Sequence, residues 1–195
     1  MPKVLVVNNY PTRERVTRLE SCFEGNGAAA ESIDWSEVSA SKFDSFDGVA
    51  LSGSPEMMTE KKTQAKFADE TRAILDTHAP VLGVCFGHQL MAHAFGAPVV
   101  KDRQHVLKMV KTSILAEDAL FEDLPKSLTL LESRYEVVGA MPKGFSLLAK
   151  SATTEIAAMK HGSRPLYGVQ FHPERYTIEN PEGNKVIGNF VSLLK

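Results

Sequence analysis

The sequence predicts an α/β fold with a mostly parallel central sheet that is flanked by helices and extended by antiparallel or mixed strands. Two observations support this prediction. In the first half of the chain, short apolar runs alternate with amphipathic segments, as they do where helices connect parallel strands. In the second half, strand-like runs follow one another closely and are separated by turn residues, which favours antiparallel pairing.

The first half begins with a predicted strand at residues 4–7, a continuous run of Val and Leu that suits a strand buried on both faces. A helix is predicted at 12–24, because Val16, Leu19 and Phe23 recur at spacings of three and four. The alternation continues with strands at 28–33, 47–51 and 81–84 and helices at 63–78 and 89–95. In such sheets, ligands bind beyond the carboxyl ends of the strands.

The second half contains five further strand-like runs, at 108–115, 128–131, 145–150, 155–160 and 166–171. Turn residues such as the Met-Pro-Lys-Gly run at 141–144 separate them. A closing helix is predicted at 183–194, because its apolar residues recur on one face. The charged segment 101–105 is predicted to be a solvated loop.

Composition limits the class of protein. The chain has 195 residues and a formal net charge of −2, which suits one domain over 1–195 and gives no general attraction to nucleic acid or to an anionic membrane. Cys22 and Cys85 are far apart, so a disulfide framework is not expected. No apolar run is long enough to span a bilayer, and none resembles a signal peptide. We therefore expect a cytoplasmic protein.

A cysteine stands where a nucleophile would be exposed. The run Gly-Val-Cys-Phe-Gly at 83–87 follows the predicted strand 81–84 and precedes a helix. Gly-x-Cys-x-Gly is the thiol counterpart of the nucleophile elbow, in which small residues permit a strained strand-to-helix turn. A helix N-terminus also favours thiolate over thiol. The alternative is that Cys85 is a buried, inert side chain.

A second motif places a histidine and a carboxylate together. His172 and Glu174 flank Pro173 directly after the predicted strand 166–171. In extended chain, residues two apart point to the same side, so Glu174 is placed to orient the imidazole of His172. A surface turn is the alternative for the tripeptide alone, but the elbow cysteine favours the catalytic interpretation.

A third motif is the small-residue loop at 51–56, which includes Gly53 and Ser54. Loops of this kind can direct main-chain N–H groups at a developing oxyanion, although a plain turn has the same composition. His88 and His93 are five residues apart and do not share a helix face, so no metal site is predicted.

In this order, the loop at 51–55, the elbow at 81–89 and the segment at 167–174 resemble the three signatures of class I glutamine amidotransferases. The resemblance extends from about residue 4 to the C-terminus and implies the flavodoxin-like α/β fold of that family. Within the family, the chain is most similar to the stand-alone glutaminase subunits of GMP synthetases.

The resemblance implies hydrolysis of the side-chain amide of glutamine. Cys85 would attack the amide carbon to form a glutamyl thioester, while His172, oriented by Glu174, would protonate the leaving ammonia and then activate water. No cofactor is implied. The ammonia would pass to a separate ATP-pyrophosphatase synthetase, which makes the chain a ligase subunit of purine biosynthesis.

The resemblance also implies roles for neighbouring residues. The main-chain N–H groups of Phe86, Gly53 and Ser54 would stabilise the oxyanion, and Gln89 would contact the substrate. A further family segment, usually Ser-His-x-Asp, aligns with the Ser-Arg-Tyr-Glu run at 133–136. The resemblance thereby implies three more substrate-binding residues, namely Ser133, Arg134 and Tyr135.

Two departures from the family pattern keep the substrate open. Ser54 stands where the GMP-type loop usually has a second glycine, and Arg134 stands where the family usually has histidine. A main-chain donor at Ser54 survives if that residue does not need a positive φ. The alternatives are a γ-glutamyl peptide hydrolase of the same fold and a catalytically silent subunit that binds a partner.

Overall fold

The computed structural model describes residues 1–194, so the last residue of the predicted domain, Lys195, lies outside the described residues. Within them, nine strands form one mixed sheet in the order β2-β1-β3-β4-β9-β8-β7-β5-β6. The strands are β1 (Lys3–Asn8), β2 (Ala29–Asp34), β3 (Gly48–Leu51), β4 (Val81–Val84), β5 (Val99–Ile114), β6 (Ser127–Val138), β7 (Phe145–Ser151), β8 (Ala158–His161) and β9 (Leu166–Val169).

Helices connect and cover the strands. They are α1 (Thr17–Gly25), α2 (Ala40–Phe43), α3 (Lys61–Lys66), α4 (Ala68–Asp76), α5 (Phe86–Ala94) and α6 (Glu182–Ser192). None of the helices in the described part of the chain is long and apolar enough to cross a membrane.

The parallel half of the sheet consists of β2, β1, β3, β4 and β9. Residues 4–7 of β1 are fully buried because helices cover both faces of this half. Val4 and Val6 pack on the face that holds Phe23 and Phe190, from α1 and α6. Their neighbours in β1 pack on the opposite face, against the core side chains of α4 and α5. The predicted fold class is confirmed.

The antiparallel half consists of β8, β7, β5 and β6, which continue the sheet from β9. The prediction of a solvated loop at 101–105 is wrong, because these residues lie within β5. The register of β5 against β6 shifts between Lys101 and Val106. One face of the antiparallel half meets solvent, so charged side chains are compatible with a strand there. The irregular register also disrupts the alternation of apolar and polar residues that identifies a strand.

Two predicted helices are divided. The segment 12–24 begins as a short 3₁₀ turn at Arg13–Arg15 and becomes α-helical only at Thr17. The segment 63–78 is interrupted at Phe67, where φ and ψ of −100° and 21° end α3 before α4 begins. Phe67 is fully buried, and its ring centroid lies 4.8 Å from that of Phe86 in α5. The apolar periodicity continues through Phe67, so it did not reveal the break.

Two glycines allow α5 to approach the sheet. A Cβ added to Gly83 would lie 2.6 Å from the carbonyl oxygen of Gly87, and a Cβ added to Gly87 would lie 2.5 Å from the carbonyl oxygen of Leu51. Both obstacles are main-chain atoms, which cannot rotate away as the end of a flexible side chain can. The glycines of the elbow are therefore required by packing between β3, β4 and α5.

We expect Gly83→Ala to destabilise the protein by about 1–3 kcal/mol, because the added methyl group overpacks a main-chain contact. Gly25→Ala is the matched control, since a Cβ at Gly25 would have no atom within 4 Å. Denaturant unfolding measures both variants. Equal stability of the two would contradict the packing role of Gly83.

Candidate active site

Cys85 occupies the corner between β4 and α5. Its φ of 52° is positive, a region that non-glycine residues rarely adopt, and its ψ is −99°. Two hydrogen bonds hold this conformation: Cys85 N–H donates to the Val169 carbonyl at 2.8 Å, and Gln89 N–H donates to the Cys85 carbonyl at 3.1 Å. Backbone strain of this kind persists only where the surroundings impose it, and it is concentrated at functional sites.

The Cys85 side chain is nearly buried and points toward β6. Its Sγ lies 3.5 Å from the Ser133 carbonyl oxygen, to which the thiol can donate. The same strand also contacts the second motif, because the His172 N–H donates to the Leu131 carbonyl at 2.8 Å. β6 therefore contacts both the elbow cysteine and the predicted catalytic histidine.

His172 and Glu174 form a buried pair. His172 Nδ1 lies 2.7 Å from Glu174 Oε1, and both side chains are at most 10% exposed. Burial opposes the imidazolium form, but the charges of Glu174 and Cys85 outweigh it and raise the pKa of His172 well above 6.5. Hydrogen bonding at Nδ1 leaves the other ring nitrogen, Nε2, available for proton transfer.

Cys85 and His172 line one pocket of about 610 Å³, a size suited to a small molecule. Ser54, Gln89 and Tyr135 contribute to its walls. The Tyr135 ring stacks on His105 with the centroids 4.1 Å apart, and both residues line the pocket. Three predicted motifs, which are far apart in sequence, therefore meet around a single cavity.

The loop that contains Gly53 and Ser54 lies against this cavity. A Cβ added to Gly53 would collide with Tyr10 Oη and lie 2.9 Å from His172 Cε1, so a side chain at this position would displace one of these two rings. The φ of Ser54 is not positive. Serine in place of the usual glycine is therefore compatible with a main-chain donor at this position. Within residues 1–194, the N–H groups of Gly53, Ser54 and Phe86 have no hydrogen-bond acceptor.

Arg134 has a side chain that is committed to other protein groups. It is 1% exposed, its Nε donates to Glu132 Oε2 at 2.8 Å, and its guanidinium also pairs with Asp102 and donates to the Thr153 carbonyl. Arg134 lines the pocket, and each of the three nitrogens of its guanidinium already donates to a protein group. Its substrate-binding role stays a prediction.

Gln89 lies at the pocket wall, and its amide is also engaged. Nε2 donates to the Glu136 carbonyl at 2.8 Å and to Gln170 Oε1 at 3.2 Å. The Glu136 carboxylate accepts from Met58 N–H and from the main chain and hydroxyl of Thr59. Sequence reasoning gave Glu136 no role, although it joins β6 to the loop beyond Ser54.

His88 lies in the core and not in the pocket. His88 is fully buried behind the elbow, and burial lowers its pKa to about 3, which keeps the ring neutral. A Cβ at Gly168 would lie 2.5 Å from His88 Nδ1, so the ring packs directly on β9. No group of three metal-ligating side chains occurs in the described part of the chain.

Tyr10 and His105 are among the pocket residues that the sequence did not identify. Tyr10 follows β1, and the rule that ligands bind beyond the carboxyl ends of parallel strands could have identified it. Burial and the nearby Cys85 and Glu174 raise the pKa of Tyr10, so its phenol stays neutral. His105 lies in the segment 101–105, for which the sequence predicts a solvated loop and therefore no pocket.

Known proteins support the family indicated by these motifs. The sequence profile of the glutamine amidotransferase class-I family matches residues 7–193. The chain is 39% identical over 150 residues to a glutamine-hydrolyzing GMP synthase subunit from Thermococcus kodakarensis, an alignment that covers 75% of this chain and 74% of that protein. The corresponding subunit from Archaeoglobus fulgidus is 36% identical over 149 residues, with 76% of each chain covered.

Solved structures agree. A Thermoplasma acidophilum protein described as a GMP synthase subunit superposes with a TM-score of 0.88 at 29% identity, covering 100% of this chain and 94% of its own. PurLQS from Thermotoga maritima has a TM-score of 0.82 at 17% identity, over 100% of this chain and 99% of that one, and so supports the fold alone. The chain belongs to the class I glutamine amidotransferases, an enzyme family with a cysteine nucleophile.

Proposed function

We propose that this chain is a glutaminase subunit that hydrolyses the side-chain amide of glutamine and supplies ammonia to a separate synthetase, with GMP synthesis as the pathway. The observation that carries the proposal is the strained Cys85, which shares a pocket with a histidine held by a carboxylate 2.7 Å away. The names of the relatives from Thermococcus kodakarensis and Archaeoglobus fulgidus support the pathway.

The proposed reaction uses Cys85, His172 and Glu174 as a triad. Cys85 Sγ, deprotonated by His172, bonds to the amide carbon of glutamine, and the imidazolium then gives its proton to the departing nitrogen. Ammonia leaves and a glutamyl thioester remains. His172 next removes a proton from water as the water attacks the thioester, and that proton returns to the sulfur as glutamate departs. Glu174 keeps the imidazole in the required tautomer throughout.

The oxyanion of each tetrahedral intermediate needs hydrogen-bond donors. We assign this role to the main-chain N–H groups of Phe86, Gly53 and Ser54, which have no acceptor within residues 1–194. Phe86 is the first residue of α5, so the helix dipole also favours negative charge at this position.

Substrate recognition is assigned to Gln89, Ser133, Arg134 and Tyr135, which surround the pocket. Since the guanidinium of Arg134 is held by Glu132 and Asp102, we propose that Arg134 acts through its main chain and by keeping β6 in place. The exposed Tyr135 ring, stacked on His105, forms the outer wall.

The partner of this proposed subunit is an ATP-pyrophosphatase synthetase that consumes the ammonia. The test of the pathway is amination of the nucleotide precursor of GMP, with the two subunits mixed and amide-¹⁵N glutamine as the sole nitrogen source. We expect ¹⁵N in GMP only when both subunits are present. Hydrolysis of γ-glutamyl peptides in preference to glutamine would contradict the proposed substrate.

Cys85→Ala should lower glutamine hydrolysis in the presence of the synthetase by at least about 10³-fold, because no other group supplies the nucleophile. Cys22→Ala is the control, since Cys22 lies outside the pocket and its thiol donates to the main-chain carbonyl of Glu174, at 3.8 Å, and not to a reacting group. Labelling with a glutamine-mimicking electrophile should modify the wild type and Cys22→Ala but not Cys85→Ala. Retained hydrolysis in Cys85→Ala would refute the proposed mechanism.

Glu174→Gln should lower kcat by about 10²- to 10⁴-fold, because the imidazole loses its orienting carboxylate. The exposed Glu179 provides the control Glu179→Gln. NMR titration of His172 should give a lower pKa in Glu174→Gln than in the wild type, since the charge that raises it is removed. An unchanged titration would show that Glu174 does not act on His172.

The raised pKa of His172 also makes the free energy of unfolding depend on pH. The folded-state pKa of His172 is raised above the unfolded value, so protonation of His172 stabilises the fold fully at pH values below about 6.5. That contribution is lost as the pH rises through the higher folded-state pKa. The stability difference between wild type and Glu174→Gln should therefore be larger at acidic pH than at alkaline pH, as long as Glu174 remains ionised.

A further inference from the structure

The loop that carries Gly53 and Ser54 is tied to the end of β1 through Asn9. Asn9 N–H donates to Ser52 Oγ at 2.9 Å, and Ser54 Oγ donates to the Asn9 carbonyl at 2.7 Å. Asn9 Nδ2 also lies 3.4 Å from the Ser52 carbonyl. Gly53 lies between these two serines, so Asn9 constrains the main chain on both sides of Gly53.

Asn9 in turn contacts a buried carboxyl group on α4. Asn9 Nδ2 donates to Glu70 Oε1 at 3.1 Å, and Glu70 is 0% exposed. The other two oxygens of this pair, Glu70 Oε2 and Asn9 Oδ1, are both buried, and neither has a hydrogen-bond partner within residues 1–194. An ionised carboxylate cannot satisfy Asn9 Oδ1, because it has no proton to donate.

A protonated carboxyl at Glu70 would supply a partner for both unpaired oxygens. Its carbonyl oxygen accepts from the amide Nδ2, and its hydroxyl donates to the amide Oδ1, which gives the two-bond pairing of an acid with an amide. Burial without a charged partner favours this neutral form and raises the pKa of Glu70 to about 8, although the hydrogen bond from Asn9 acts in the opposite direction.

The ionisable groups on the elements packed against α4 do not pair with Glu70. The elements that pack against α4 are α2 with its C-cap residue, α3, α5 and the turn at Trp35–Glu37. Within residues 1–194, no salt bridge or hydrogen bond joins Glu70 to an ionisable side chain of these elements. These groups are Glu37, Lys42, Asp44, Lys61, Lys62, Lys66, His88 and His93. Asp44 instead accepts from Thr77, and Lys66 pairs with Glu56.

We infer that Glu70 is a positioning residue: its neutral carboxyl pairs with the carboxamide of Asn9 and thereby holds the Gly53–Ser54 loop in the geometry required for oxyanion binding. The inference rests on the proposed function, because the positioned loop is the proposed oxyanion site. Glu70 does not line the pocket and acts only through Asn9. Ionisation of Glu70 would remove the donor to Asn9 Oδ1 and loosen the loop.

Two substitutions of similar size separate this role from simple packing. Glu70→Gln reproduces the neutral acid, since its amide NH₂ can donate to Asn9 Oδ1 while its carbonyl accepts from Nδ2. Glu70→Leu fills the same space but leaves Asn9 unpaired. Asp69→Asn, at the exposed neighbouring position of α4, controls for loss of a negative charge.

The experiment measures kcat and KM for glutamine from about pH 6 to pH 9.5 for these variants and the wild type, each with the synthetase present. We expect Glu70→Gln to retain kcat within about 2-fold at pH 7, and Glu70→Leu to lose about 10- to 10²-fold in kcat with little change in KM, because oxyanion donors act in the transition state. The ratio of wild-type kcat to Glu70→Gln kcat should fall as the pH rises through about 8.

A wild-type kcat in Glu70→Leu, or a kcat ratio that does not change with pH, would overturn the inference. Infrared difference spectroscopy of wild type minus Glu70→Gln provides a readout that does not depend on turnover. It should show the C=O band of a protonated carboxyl at neutral pH, and absence of this band would also overturn the inference. Wild-type activity that Cys85→Ala does not reduce would refute the proposed function instead, while the infrared result would still test the state of Glu70.

Discussion

The conformation of Cys85 is the constraint on which the site depends. A positive φ at this residue turns the chain from β4 into α5 within one residue, and the turn is possible only because Gly83 and Gly87 allow close contact between main-chain segments. The hydrogen bond from Cys85 N–H to the Val169 carbonyl fixes the corner to β9. Since His172 follows β9 by three residues, the same contact relates the cysteine to the histidine.

Buried polar groups hold the rest of the pocket in place. Glu136 accepts three hydrogen bonds from Met58 and Thr59, and Arg134 neutralises the buried Glu132. Buried charges bring a large desolvation penalty, so removing one partner of such a pair is more disruptive than replacing both. These networks help to fix the positions of the antiparallel strands around the pocket. Apolar packing alone would allow the strands to slide relative to their neighbours.

The sequence was sufficient to predict the parallel half, the elbow and the His-Pro-Glu segment, because each depends on local patterns. Buried parallel strands form continuous apolar runs, and a cysteine between two glycines directly after such a run has the spacing of a nucleophile elbow. The second half of β5 was predicted at 108–115, but residues 99–107 were not, because their solvent-facing positions are charged and the register shifts near Lys101. The contacts of Arg134, Glu136 and Glu70 depend on strands and helices distant in sequence, which no local pattern can indicate.

The pairing of β4 with β9 also determines where the fold can accept insertions and deletions. Val84 is in register with Val169, so the elbow and the histidine segment leave adjacent strands at the same edge of the sheet. All of α5 and the antiparallel strands β5 to β8 are formed by the chain between these two neighbours. Hydrogen bonding between the strands sets their register, and the length of the connecting chain does not. Insertions or deletions in the turns that join β5 to β8 can therefore reshape the outer wall of the pocket. The distance between Cys85 and His172 would be preserved.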